Sequence, residues 1–216
     1  MADLDPDRAL ALAYVPAAKR PALEALWRLD AALGSVLATG SEPMVTRIRL
    51  AWWREALERL DREAPPPEPL LQALAVHVLP AGITGDELAA MEEGWEAIVA
   101  PGALAAEDLE IYARARGAIL FRLSARLLGR GDFSVGVVGE RWAMVDLARH
   151  SSAPTDVRDA LTIAREKHVD MTWPSALRPL GMLAILANRD LSRTSPERAG
   201  SPKRMMRMAL HRMTGR

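Results

Sequence analysis

The chain has 216 residues, half of them apolar and 26% charged, with 28 basic residues balancing 28 acidic ones. That length fits one domain with a sizeable core, and the zero net charge argues against a nucleic-acid binder held by bulk positive charge. The absence of cysteine removes disulfides, thiolate nucleophiles and cysteine metal sites together, and fits a reducing compartment.

The opening MADLDPDRAL is acidic and has no apolar run behind a basic start, so it is not read as a signal peptide. The longest apolar run, residues 181–187, is far short of a membrane span. The expected localisation is therefore cytoplasmic, with contact at the inner membrane face left open. Ala, Leu, Arg and Glu dominate, and no stretch sustains period-two alternation, so no strand is predicted.

Asp5 followed by Pro6 reads as an N-cap with proline at the first helical position, opening a helix to about residue 14. Pro16 and Pro21 flank a second start. Leu23, Leu26, Trp27, Ala31, Gly34 and Leu37 then recur at helical spacing until Gly40. Ser41 is read as the cap of the next helix, with Pro43 in its first turn and an apolar set running from Met44 to Leu60. Residues 64–69, APPPEP, form a stiff polyproline connector. Residues 70–79 make a short apolar helix ended by Pro80, with His77 read as a core or boundary residue. Thr84 and Glu87 have the spacing of a capping box for a helix to about residue 99. Residues 107–128 form the longest amphipathic run, with Gly129 as its C-terminal cap. Helices over 134–149, 154–168 and 173–191, and a basic one opened by Pro202, complete the chain. The prediction is an all-α single domain over residues 1–216, about nine to ten helices joined by short connections.

Chemistry is harder to place. No two of the four histidines sit at metal-ligand spacing, and there is no glycine-rich phosphate loop; Gly129-Arg130-Gly131 reads as a helix terminator. Acids three or four apart share a helix face. The pairs Glu55/Glu58, Glu92/Glu96, Glu107/Glu110, Asp156/Asp159 and Glu166/Asp170 are interleaved with bases or lie in first turns, and are read as solvated faces or caps. These pairs thus give no metal site. Asp146 and His150, one turn apart, could hold a metal, pass a proton or simply touch. Asp30 stands alone on its helix. Arg47, Arg49, Trp52, Trp53 and Arg54 form the densest unusual cluster. Adjacent tryptophans point about 100° apart on a helix. One is expected in the core and one at its edge, with Arg49 able to stack on Trp53; the rival reading is a ligand or partner surface. In the final helix Met205, Met206, Ala209, Leu210 and Met213 fall on one face, with Lys203, Arg204, Arg207 and Arg212 over much of the rest. That pattern suits docking to an anionic membrane or a partner groove, or a terminal helix that covers the core with its basic side in water.

Several stretches resemble squalene and phytoene synthases. Ala13-Tyr14, Pro16 and residues 20–26 (RPALEAL) are similar to the family's opening helix. Residues 48–57 (IRLAWWREAL) resemble the segment after its first aspartate motif. Leu109, Tyr112, Ala113 and Gly117 resemble its central helix; Gly139 with residues 146–149 (DLAR) its second-motif helix; Trp173-Pro174 with residues 177–180 (LRPL) a late helix. The resemblance implies an isoprenoid-synthase-like helical bundle. It also implies a head-to-head condensation of allylic diphosphates, with magnesium held by two aspartate motifs. Here the first motif's acids fall on Leu33, Gly34 and Leu37. In the second the arginine is kept as Arg149, but the acids fall on His150 and Pro154. Leucine, glycine and proline side chains cannot ligate magnesium. Ser41-Glu42-Pro43 and residues 49–54 resemble a branch with a degenerate first motif, whose members include assembly factors of respiratory complex I. The reading is a non-catalytic relative that binds an apolar prenyl or lipid ligand or a protein partner, without a cofactor. The alternative is an active prenyl transferase using displaced magnesium ligands such as Asp30, Asp146 or Asp156/Asp159, with Asp30, Asp146, Arg149 and His150 as candidate catalytic residues.

Overall fold

The computed structural model describes residues 4–215 except 41, 100, 101, 133 and 194. Ser41, read as a helix cap, lies outside the described residues. Every regular element among them is helical: α1 (Pro6–Ala13), α2 (Arg20–Thr39), α3 (Pro43–Arg59), α4 (Pro69–His77), α5 (Gly85–Ala97), α6 (Ala106–Tyr112), α7 (Ile119–Leu127), α8 (Gly136–His150), α9 (Pro154–Glu166), α10 (Arg178–Leu191) and α11 (Pro202–Thr214). A π-helical turn over Ala113–Ala118 joins α6 and α7 into one rod, so the described residues form ten rods.

Local chemistry sets most boundaries. The Asp5 side chain accepts from the amides of Asp7 at 3.0 Å and Arg8 at 3.1 Å, satisfying donors that the first turn cannot. Thr84 and Glu87 close the capping box that opens α5, at 3.1 and 3.0 Å. Gly129, at φ +77°, ends the long rod in the left-handed conformation. Its amide bonds Arg126 O and that of Arg130 bonds Ala125 O, both at 2.8 Å, which is the Schellman pattern.

Two expectations are corrected. His77 is exposed on α4, because Leu70, Leu71 and Leu74 define the buried side. Trp173-Pro174 does not open a helix. A 3-10 turn, Ser175–Leu177, intervenes and α10 begins at Arg178, since Pro179 fits a first turn but disfavours helical backbone before it.

α2 packs against α1, α3, α4, α5 and α7. Leu23, Leu26, Trp27, Leu29 and Leu33 are all but fully buried along it, and Trp27 Nε1 donates to Ser124 Oγ at 3.0 Å. On the other side of the core, the π turn crosses α8 at two glycines. A Cβ on Gly117 would lie 2.4 Å from Gly139 O, and one on Gly139 would lie 2.2 Å from Gly117 O. This contact holds together the two helices that carry Arg116 and Asp146.

Candidate functional site: an arginine clasped between two aspartates

On α2 the apolar stripe of Leu23, Leu26, Trp27 and Leu33 is interrupted by Asp30, which is fully buried. On the α6–α7 rod the stripe of Leu109, Tyr112, Leu120 and Leu123 is interrupted by Arg116, 2% exposed. Neither charge could be buried alone. Arg116 Nε donates to Asp30 Oδ1 at 2.8 Å and Nη2 to Asp30 Oδ2 at 3.0 Å. The same Nη2 lies 2.7 Å from Asp146 Oδ2 on α8. Arg8 of α1 donates to Asp30 Oδ2 at 2.7 Å, and Trp95 Nε1 of α5 donates to Oδ1 at 3.2 Å. Nη1 of Arg116 donates to the Tyr112 hydroxyl. The guanidinium also lies over three rings, with centroids of Trp95, Trp142 and Tyr112 at 4.2, 4.8 and 5.2 Å.

The charges of this cluster fix its protonation. Burial by itself would raise the Asp30 carboxyl, but Arg116 and Arg8 outweigh it and hold it at about 2. Asp146 is likewise held below the usual carboxylate range, burial being outweighed by Arg116, Arg8 and His150. Burial, with the nearby Asp146 and Asp30 carboxylates, pushes the Tyr112 phenol well above its ordinary value despite Arg116.

The cluster heads a cavity of about 730 Å³, within the range of small-ligand sites. Leu4, Ala31, Leu37, Ile98, Leu104 and Leu147 line its apolar part, and Asp5, Asp156 and His150 join the polar part. Asp156, one of the paired acids read as a cap, is buried and accepts from the Leu104 amide at 3.1 Å. Asp159 is turned to solvent beside Arg158.

Residues 1–153 match the family described as squalene/phytoene synthase. The chain belongs to that family. No curated protein and no solved structure matches it. The match takes in the whole arginine cluster and stops before α9.

Magnesium in a squalene/phytoene synthase needs open carboxylates, and these residues do not fit it. Both oxygens of Asp30 are taken by arginines, and Asp146 is held by Arg116. No three His, Asp or Glu side chains among the described residues come together to hold a metal. Of the positions onto which the resemblance places the first motif's acids, Leu33 is core and Leu37 lines the cavity. A Cβ on Gly34 would meet the Trp95 ring at 2.7 Å, so the ring occupies the space a carboxylate would need.

The remaining candidates scatter. His150 is exposed at the cavity, its Nδ1 3.7 Å from Asp146 Oδ1 and 2.8 Å from the Asp146 carbonyl. Arg149 turns away from Asp146 and donates to Asp190 at 2.8 Å and to the Glu197 carbonyl at 3.1 Å. Trp52 and Trp53 meet edge to face at 5.2 Å. Trp53 packs partly buried against the core, and Trp52 is 49% exposed. Arg49 donates to Thr39 Oγ1 at 3.3 Å rather than stacking on Trp53. Arg54 reaches Glu92 at 2.8 Å. Glu92 is not on a solvated face as read from its spacing; it is buried, and that burial, with Glu96 beside it, raises its carboxyl against the pull of Arg54. Arg8, Trp95, Tyr112 and Arg116 were missed by sequence reasoning. The available signal was an arginine on an apolar helical stripe, where a charge must find a buried partner.

Proposed function

We propose that the protein is a non-catalytic squalene/phytoene synthase relative that holds the apolar chain of a prenyl or lipid molecule in the cavity below Arg116. The observation that carries this reading is the guanidinium seated between Asp30 and Asp146, where an enzyme of this kind needs carboxylates free to take a metal. The charge around the cavity argues the same way. Asp5, Asp30, Asp146 and Asp156 stand against Arg8 and Arg116, whose charges are already engaged. A diphosphate without its metal would meet net negative charge there, whereas an uncharged prenyl alcohol would not.

The exposed stripe of Met44, Val45, Ile48 and Trp52 on α3 favours a protein partner alongside the ligand. With the resemblance to the assembly-factor branch, it makes assembly of a respiratory complex the setting we propose.

The test is incubation with farnesyl or geranylgeranyl diphosphate and magnesium, followed for pyrophosphate release, next to equilibrium dialysis of labelled farnesol. We expect no release, and farnesol binding weakened about tenfold by Leu37→Phe, equivalent to roughly 1.4 kcal/mol. Pyrophosphate release that is lost in Asp146→Asn would establish the prenyl transferase reading instead.

A further inference from the structure

α11 lies outside the family match, packs on α10 and α1, and turns an unusual face outward. Its inward residues are Arg204, Met208 and His211, all buried. At 100° per residue the opposite side is centred on Met206 and Met213, 74% and 79% exposed, flanked by Leu210 and Met205 at 49% and 45%. A helix that only covers a core presents polar residues there. Here the outermost line is apolar and the cations sit at its edges, Lys203 and Arg207 on one side and Arg212 on the other.

Arg204 does not belong to that basic rim. It is buried, with Nε 2.8 Å from Asp7 and Nη1 2.8 and 2.9 Å from the two Asp190 oxygens. Its charge holds α11 to α1 and α10, which leaves the methionine side facing outward. The remaining cations have no acid on their own helix. Glu197, beside Lys203, is engaged by Arg189 at 3.0 Å and Arg193 at 3.5 Å. At the far end Arg212 lies 6.0 Å from the Tyr14 ring, which is 38% exposed, and Arg178 donates to the carbonyls of Arg212 and Met213. The surface is thus an apolar ridge between basic margins, with a partly exposed aromatic at one end.

We propose that α11 docks the protein on the surface of a bilayer containing anionic lipids, lying in the plane with Met206 and Met213 among the acyl chains and Lys203, Arg207 and Arg212 at the headgroups. The order of residues around the helix fits a flat interface, because long basic side chains can reach sideways to phosphates while the ridge between them enters the apolar layer. The proposal is independent of what the cavity holds.

The test is flotation of the full chain with phosphatidylcholine vesicles, with and without phosphatidylglycerol. Expected is co-flotation with the anionic vesicles alone, weakening as salt rises. Lys203→Gln with Arg207→Gln should lower partitioning about 30-fold, the loss for two basic side chains at a charged surface. Met206→Gln with Met213→Gln should lower it too, with unchanged thermal unfolding because both side chains face outward. Failure of the full chain to float with anionic vesicles, or flotation unaffected by both double variants, overturns the proposal and leaves the ridge to a protein partner.

Discussion

Replacing Asp30 with asparagine is expected to lower folding stability by about 3–5 kcal/mol, the range for breaking a buried ion pair from one side. The amide keeps the shape but removes the charge that compensates Arg8 and Arg116. Both guanidiniums then stay in a low-dielectric interior with too little negative charge, and Asp146 is left to balance Arg116. Urea unfolding followed by circular dichroism at neutral pH reads the loss directly. Arg116→Met should cost a similar amount, by stranding Asp30. The double variant should be more stable than the sum of the singles implies, because each change removes the other's unpaired partner. Strict additivity would mean that the two residues do not stabilise one another.

The same pair sets an acid limit. The Asp30 carboxyl sits at about 2 in the folded protein, below its ordinary value of 3.8. Below the ordinary value the unfolded chain takes up a proton that the folded chain refuses, so folding loses ground as pH falls. The contribution is fully present above about pH 4 and is lost between about pH 4 and pH 2. Nearly two units at 1.36 kcal/mol each make it about 2 kcal/mol. Asp146, also held low, acts in the same direction. Unfolding midpoints measured from pH 5 to pH 2 should fall more steeply in the native chain than in Asp30→Asn.

Gly139→Ala is expected to lower stability by about 2–3 kcal/mol, the upper part of the overpacking range. The sign is the informative part. Inside an exposed helix the same change would gain up to about 1 kcal/mol, because alanine loses less backbone freedom. At Gly139 the new methyl meets the Gly117 carbonyl at 2.2 Å, and neither partner is a flexible side-chain end that could step aside. α8 must shift away from the π turn, which also moves Asp146 relative to Arg116. Thermal unfolding should show a lower midpoint, by roughly 5–10 °C for a domain of this size. An unchanged or raised midpoint would mean that the two backbones are not in contact.

Sequence alone determined the helices and many of their ends. Asp5-Pro6, Thr84 with Glu87, and Gly129 each satisfy local backbone groups, and local groups need no knowledge of the fold. It also determined the family, through residues 48–57 and the glycines and aromatics of the central helices, and the resemblance placed the first motif's acids on Leu33, Gly34 and Leu37. Single-residue propensity could not show why those positions lack acids. Only the tertiary structure puts Trp95 against Gly34 and brings Arg8, Asp30, Arg116 and Asp146, spread over 139 positions of sequence, into one cluster. A buried charge is legible as an oddity on an apolar stripe, but its partner comes from another helix and has no sequence spacing to it. α11 divides in the same way. Its amphipathic pattern was readable, but which of its faces turns inward depended on Asp7 and Asp190. Those acids claimed Arg204 and left the methionine ridge facing out.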